Sequence, residues 1–305
     1  MSDPRQIRSS TPATRDTFVY KSVEGCEIKA DVMGAGAGAS KPCVIWIHGG
    51  GLIFGSRTTS PRPTFLEALL KREIVVVSID HRLAPETRLP GIMQDVRDAW
   101  GWIRDRGRRL FGIDPDRVAM AGGSSGAYLA LMSGYALRPA PRALASFWGF
   151  GDITAPWEAE PSAFYRDMPL VSRHDADRVV GRVAISEPSP DVDRAYFYVY
   201  CRQQGRWLNE VTGHDPREEP EWFERYLPLR NIAAGYPPTI LIHGTSDTDV
   251  PHEQSKNLAL RLRELCVEHE FVSLDGVGHG FAGARPQDIE RAENAAADFL
   301  LAHLH

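Results

Sequence analysis

An α/β fold with a mainly parallel sheet is what this 305-residue sequence predicts, and two observations carry the prediction. Apolar runs of strand length, each ending in glycine or a polar turn, recur along the chain, and they are the runs expected of strands buried on both faces. Helix-period segments separate most of them, and alternating strands and helices build a parallel sheet with helices on both sides.

In chain order, "TFVYKS" (17–22) and "CEIKADVM" (26–33) are the weaker strands and read as an antiparallel entry hairpin. The strong runs follow: "CVIWIHGGG" (43–51), "IVVVSID" (74–80), "RVAMAGGSS" (117–125), "ALASFWGF" (143–150), "TILIHGTSD" (239–247) and "EFVSLDG" (270–276), giving eight strands in all. The helical segments are 63–73, 91–107, 253–265 and 288–304. The basic stretch "RDRGRRL" (104–110) falls at the end of the second of these, where cations suit the helix dipole.

One stretch departs from the alternation. The 87 residues from Gly151 to Pro237 separate strands six and seven, and a connection of that length carries its own structure. Eleven aromatic residues lie between 151 and 230, against about seven for an even spread. The segment therefore reads as a helical cap within one domain of residues 1–305, lying over the sheet's functional edge and shaping a pocket for an apolar or aromatic substrate.

Bulk properties narrow the class further. A formal charge of -5 without a strong basic cluster argues against nucleic acid as a partner. The four cysteines, Cys26, Cys43, Cys201 and Cys266, show no C-x-x-C spacing, so no metal site or redox motif is expected and free, mostly buried thiols are. The polar first sixteen residues lack a signal-peptide core, and no run approaches the length of a membrane span. The expectation is a soluble cytoplasmic protein without a cofactor; a homodimer is allowed.

The chemistry-bearing residues lie where strands end. In "MAGGSSGAYL" (119–128), Gly122 to Gly126 fit G-x-S-x-G, a turn sharp enough to project the central hydroxyl. Centring the motif on Ser125 would put Ala127 in place of the second glycine, so Ser124 is the nucleophile candidate. Ser125 then offers mainly its backbone N–H to a developing oxyanion. A serine needs a base, and the base needs an orienting acid; on this topology they follow in the order acid, then histidine. Asp247 comes 123 residues after Ser124, and His279 comes 32 residues after Asp247, each just beyond a later strand. Asp249 and Asp275 are the competing acids, and Asp247 is favoured because it comes soonest after its strand. His243 reads as a structural residue at a strand end.

The "HGGG" run, His48 to Gly51, presents consecutive amides without side chains in the way. Gly50 and Gly51, with Ser125, are the oxyanion-hole candidates, and His48 reads as a residue that holds the loop. No Lys and Ser or Thr follow these glycines, as a phosphate-binding loop would require; Leu52, Ile53 and Phe54 do.

Taken together, "HGGGLIFGS", "IDHRLAPETRLPGIMQDV", "FGIDPDRVAMAGGSSGAYLA", "LIHGTSDTDVPHEQS" and "GVGHGF" resemble the α/β-hydrolase superfamily, specifically the hormone-sensitive-lipase-like carboxylesterases. The resemblance runs from about residue 43 to 282. It implies Ser124, Asp247 and His279 as a catalytic triad, the HGGG glycines as the oxyanion loop, and a small-molecule ester as substrate. The elbow departs from the family's G-D-S-A-G-G, with Gly123, Ser125 and Ala127 in place of the acid, the alanine and the last glycine. The "LIHGTSDTDVPHEQS" segment also looks like prolyl-oligopeptidase-type peptidases, although the chain lacks room for their propeller and has no tyrosine beside HGGG. The alternatives are therefore a peptidase or amidase, a lactonase or acyltransferase acting on a specialised metabolite, and a ligand-binding receptor on a hydrolase scaffold.

Overall fold

In the computed structural model, which describes residues 15–36, 40–59 and 62–305, the chain starts with β1 (Arg15–Val23), β2 (Cys26–Met33) and β3 (Lys41–Ile47). It continues through α1 (Pro63–Lys71), β4 (Val75–Ile79), α2 (Leu89–Phe111), β5 (Ile113–Gly123), α3 (Ser125–Ala136) and β6 (Leu144–Phe147). Short helices follow: α4 (Pro156–Ala159), α5 (Ala163–Arg166), α6 (Arg173–Asp177), α7 (Ala195–Gln204), α8 (Trp207–Thr212), α9 (Pro220–Phe223) and α10 (Pro228–Asn231). The chain closes with β7 (Thr239–Gly244), α11 (Glu253–Glu264), β8 (His269–Leu274) and α12 (Pro286–His303). The polar segment 1–14 lies outside the described residues.

The strands form one eight-stranded sheet in the order β1-β2-β4-β3-β5-β6-β7-β8. The β1–β2 pair is the antiparallel hairpin expected from its alternation, β2 joins β4 antiparallel, and every later pairing is parallel. Successive side chains of a strand point to opposite faces, and the cores follow that rule. Cys43, Ile45 and Ile47 of β3, with Val75 and Val77 of β4, join one core with α2, α3 and α11, while Val44, Trp46 and Val76 join the other with α1 and α12. Full burial of a Val, Leu or Ile side chain is worth about 1.5–3 kcal/mol, so both faces stabilise the sheet.

Helix α2 extends four residues past its expected end, and the arginine-rich stretch forms its C-terminal turns, where cations are expected. Arg108 and Arg109 occupy its last turn, and Gly112 caps it at φ 70°, a conformation only glycine adopts without cost. Cys26, Cys43 and Cys201 are buried, Cys266 is exposed, and all four thiols are free. Among the described residues, no helix is long and apolar enough to cross a membrane.

The segment between β6 and β7 shares the first core through Phe197, Tyr198, Trp207 and Phe223. A buried ion pair fastens it to the loop before α2: Arg194 Nη2 lies 2.7 Å from Glu86 Oε2, with both side chains almost fully enclosed. Arg194 also donates through Nε to the Ile53 carbonyl (2.7 Å) and through Nη2 to the Ala84 carbonyl (2.6 Å).

Candidate active site

The turn from β5 into α3 holds Ser124 at φ 55° and ψ −124°. A side chain in this region costs about 1–3 kcal/mol and persists only where its surroundings enforce it. Here the Ser124 amide donates to the Phe147 carbonyl (2.9 Å), its carbonyl accepts from the Tyr128 amide (3.1 Å), and α3 lies directly against β3. A Cβ at Gly126 would stand 2.2 Å from the Ile47 carbonyl oxygen, so no larger residue fits that crossing. The parallel register pairs Ile47 with Gly122, which brings the loop after β3 alongside the serine turn.

Asp247 and His279 follow β7 and β8, and the pairing of Gly244 with Leu274 sets the two strand ends level. His279 Nδ1 lies 2.8 Å from Asp247 Oδ2. The other carboxylate oxygen, Oδ1, accepts from the amides of Asp249 and Val250, each at 2.9 Å. Burial alone would raise the Asp247 pKa. Hydrogen bonds from His243 and His279, the His279 charge and the Val250 amide outweigh it and hold the carboxyl well below the usual range. For His279, burial disfavours the charged ring, but the bond to Asp247 and the charges of Asp249 and Asp247 prevail and raise its pKa. Its Nε2 lies 3.6 Å from Asp249 Oδ2. Ser124 and His279 line one cavity of about 440 Å³ without a direct hydrogen bond between them.

His243 does more than end a strand. Its Nε2 faces two acceptors, Asp247 Oδ2 at 3.1 Å and the Val250 carbonyl at 3.0 Å, so that nitrogen carries the proton. Nδ1 is 2.7 Å from the Ser255 hydroxyl, which also reaches the Gly149 carbonyl at 3.3 Å. Two imidazoles thus share one oxygen of Asp247. The sequence hint was a histidine four residues ahead of the acid, but only the fold shows the shared oxygen.

The loop after β3 supplies Gly50 and Gly51. Among the described residues, none accepts from either amide, and the Ser125 amide begins α3 and has no intrahelical acceptor. Gly51 is fixed at φ 59°; its carbonyl accepts from Trp207 Nε1 at 2.8 Å, and a Cβ on it would stand 2.5 Å from the Tyr198 ring. The Ser125 hydroxyl, for which sequence reasoning found no use, accepts from the Leu52 amide at 3.2 Å and ties the loop to α3. His48 is buried, donates Nδ1–H to the Gly49 carbonyl (2.7 Å) and stacks on His81 at 4.2 Å. Burial and the neighbouring His81 push its pKa well down, which keeps the ring neutral.

The segment between β6 and β7 contributes Tyr165, Ala195, Tyr198 and Val199 to the cavity wall, opposite Trp46, Arg62 and Trp148. The Tyr198 hydroxyl donates to Asp249 Oδ1 at 2.8 Å, and Arg202 Nη1 lies 3.3 Å from the same oxygen. Arg202 also pairs with buried Glu158 and lies over the rings of Trp157, Tyr165 and Tyr198. Two of the aromatic residues concentrated in this segment therefore face the cavity, and Phe197 and Trp207 pack in the core instead. Among the described residues, no group of three His, Cys, Asp or Glu side chains is arranged to hold a metal ion.

Residues 44–283 match a family described as alpha/beta hydrolase fold. Of characterised sequences, the chain is 28% identical to the esterase LipC of Mycobacterium tuberculosis, over 79% of this chain and 53% of LipC. It is also 28% identical to the non-reducing polyketide synthase pkbA of Emericella nidulans, over 91% of this chain but only 13% of the synthase. The chain thus spans about half of one relative and a small part of the other. Among solved structures, the metagenomic carboxylesterase EstE1 superposes with a TM-score of 0.71 at 23% identity, covering 97% of this chain and 92% of EstE1. A Staphylococcus aureus protein of unknown function superposes with a TM-score of 0.77 at 21% identity, covering 96% and 100%. At these identities the superpositions speak for the fold.

Proposed function

The chain belongs to the alpha/beta hydrolase fold family, and from that membership we propose that it is a serine hydrolase cleaving carboxylic esters through an acyl-enzyme. In this reading Ser124 Oγ attacks the ester carbonyl while His279 Nε2 takes its proton. The protonated ring then gives that proton to the leaving oxygen as the C–O bond breaks. Water, deprotonated by the same nitrogen, releases the acid from Ser124. Asp247 orients His279 and stabilises its charged form, and His243 keeps Asp247 Oδ2 in place. The amides of Gly50, Gly51 and Ser125 receive the oxyanion, and each such donor is worth roughly 3 kcal/mol in the transition state. Residues 151–237 act as the cap that shapes the acyl and alcohol pockets.

One observation carries the reading: Asp247 engages Nδ1 of His279 at 2.8 Å, and that ring shares a cavity with Ser124 and the glycine loop. The missing Ser124–His279 hydrogen bond does not count against it, since such contacts commonly tighten only around substrate. The test is covalent labelling by a fluorophosphonate together with hydrolysis of p-nitrophenyl butyrate. Ser124→Ala is expected to remove the label and to lower kcat by about 10⁴-fold or more, with the melting curve unchanged. Labelling that survives the substitution would remove Ser124 from the mechanism.

The matches to polyketide synthases favour a second reading of the acyl group. Four of them, from pkbA to trt4, cover over nine-tenths of this chain. A polyketide-type acyl chain, arriving as an ester or thioester and leaving Ser124 to water or to an alcohol, uses the same residues. Product analysis with and without added alcohol separates hydrolysis from transfer.

A further inference from the structure

We infer that Asp249 selects the alcohol half of the ester, favouring an alcohol that carries a free hydroxyl close to the scissile oxygen. The inference rests on the serine hydrolase reading, in which His279 Nε2 delivers the proton to the leaving oxygen. For that transfer the leaving oxygen comes within about 3 Å of Nε2. Asp249 Oδ2 is 3.6 Å from the same nitrogen, so the first carbons of the alcohol pass beside its carboxylate.

The carboxylate is held there. Its Oδ1 accepts from the Tyr198 hydroxyl and faces Arg202, and the Tyr165 hydroxyl is a further neighbour. These groups come from the segment between β6 and β7, whereas the Asp249 backbone is fixed by the hydrogen bond its N–H donates to Asp247 Oδ1. Oδ2 is thereby turned toward His279 and a cavity whose nearby walls are Phe54, Trp148, Tyr165 and Val199. The Asp249 side chain is only 13% exposed.

In such a place the three kinds of alcohol differ. An aliphatic alcohol removes water from the carboxylate and returns no hydrogen bond, which is unfavourable. A carboxylated alcohol brings like charges together. A hydroxyl on the carbon next to the ester carbon donates a charge-assisted hydrogen bond to Oδ2, among the stronger hydrogen bonds available. The selection adds no chemical step: Nε2–H passes to the leaving oxygen, the acyl–oxygen bond breaks, and the diol departs neutral.

The test compares 2-hydroxyethyl butyrate with 2-methoxyethyl butyrate, which share an acyl group and differ in whether the terminal oxygen donates. Wild type at a pH above the acidic limb is expected to favour the hydroxyethyl ester at least tenfold in kcat/KM. Asp249→Asn must keep its oxygen toward Tyr198 and Arg202, which places an NH₂ where Oδ2 was. That donor serves an ether as well as a hydroxyl, so the ratio should fall to within about twofold of one. Should this variant not fold, Asp249→Ser, which removes the carboxylate and keeps a small polar side chain, is read in the same way. A wild-type ratio near one, or an unchanged ratio in the variants, overturns the inference while fluorophosphonate labelling of Ser124 leaves the hydrolase reading standing. No labelling and no turnover of either ester overturns both.

Discussion

The carboxyl edge of the sheet and the segment between β6 and β7 meet at one cavity but are held by different forces. Ser124, Asp247 and His279 stand on turns whose places are set by strand register and by amides bonded across neighbouring turns. The segment, beyond its share of the apolar core, is anchored through buried charges: Arg194 reaches Glu86 across 108 residues, and Arg202 reaches the Asp249 carbonyl across 47. Backbone register fixes a geometry that local sequence announces. Charge pairs fix a cavity wall that local sequence does not.

The contrast can be broken where it is strongest. Arg194→Ala leaves the enclosed Glu86 side chain without its cation, with the Gly181 amide still donating to it, and denaturant unfolding should show a loss of about 3 kcal/mol. A loss below about 1 kcal/mol would mean that the segment is held by its apolar contacts, as the sheet is. Gly51→Ala sets a methyl against the Tyr198 ring and should lower kcat on p-nitrophenyl butyrate about a hundredfold, with KM changing far less. Ser125→Ala removes the acceptor of the Leu52 amide; about 1 kcal/mol, or roughly fivefold in kcat, is the expected cost.

The smallest effect concerns pH. The base form of His279 is neutral, so kcat/KM should fall as pH drops through a pKa raised above the ordinary imidazole value. Burial and the Arg202 charge oppose that rise, while Asp247 and Asp249 cause it. Removing the Asp249 charge in Asp249→Asn lowers the pKa, and the acidic limb of the rate profile should move to lower pH. A limb that stays in place would show that Asp249 has no hold on the ring.

The fold was legible because its signal is repetitive: buried strands read as largely apolar runs such as 43–47 and 74–79, the first followed by a glycine turn and the second by a polar one. Ser124, Asp247, His279, Gly50 and Gly51 could be singled out for the same reason, each lying within a few residues of a strand end. The hydroxyl of Ser125, the shared oxygen under His243 and the placement of Asp249 at Nε2 could not. Their partners lie across the sheet or on another element, and no spacing encodes them. Between β6 and β7 the aromatic surplus marked a structured segment, but helices of four to six residues such as α6, α8 and α10 are too short to display a 3.6-residue period.

The ring of Tyr198 lies against Gly51 on one side, and its hydroxyl holds Asp249 on the other. A shift of helix α7 therefore moves the glycine loop and the acid together. On the proposed roles of the loop and of Asp249, speed and choosiness are linked through one side chain, so variants selected for a new alcohol by changes at Tyr198 should surrender turnover with the old preference, and recovering it should require compensation in the loop.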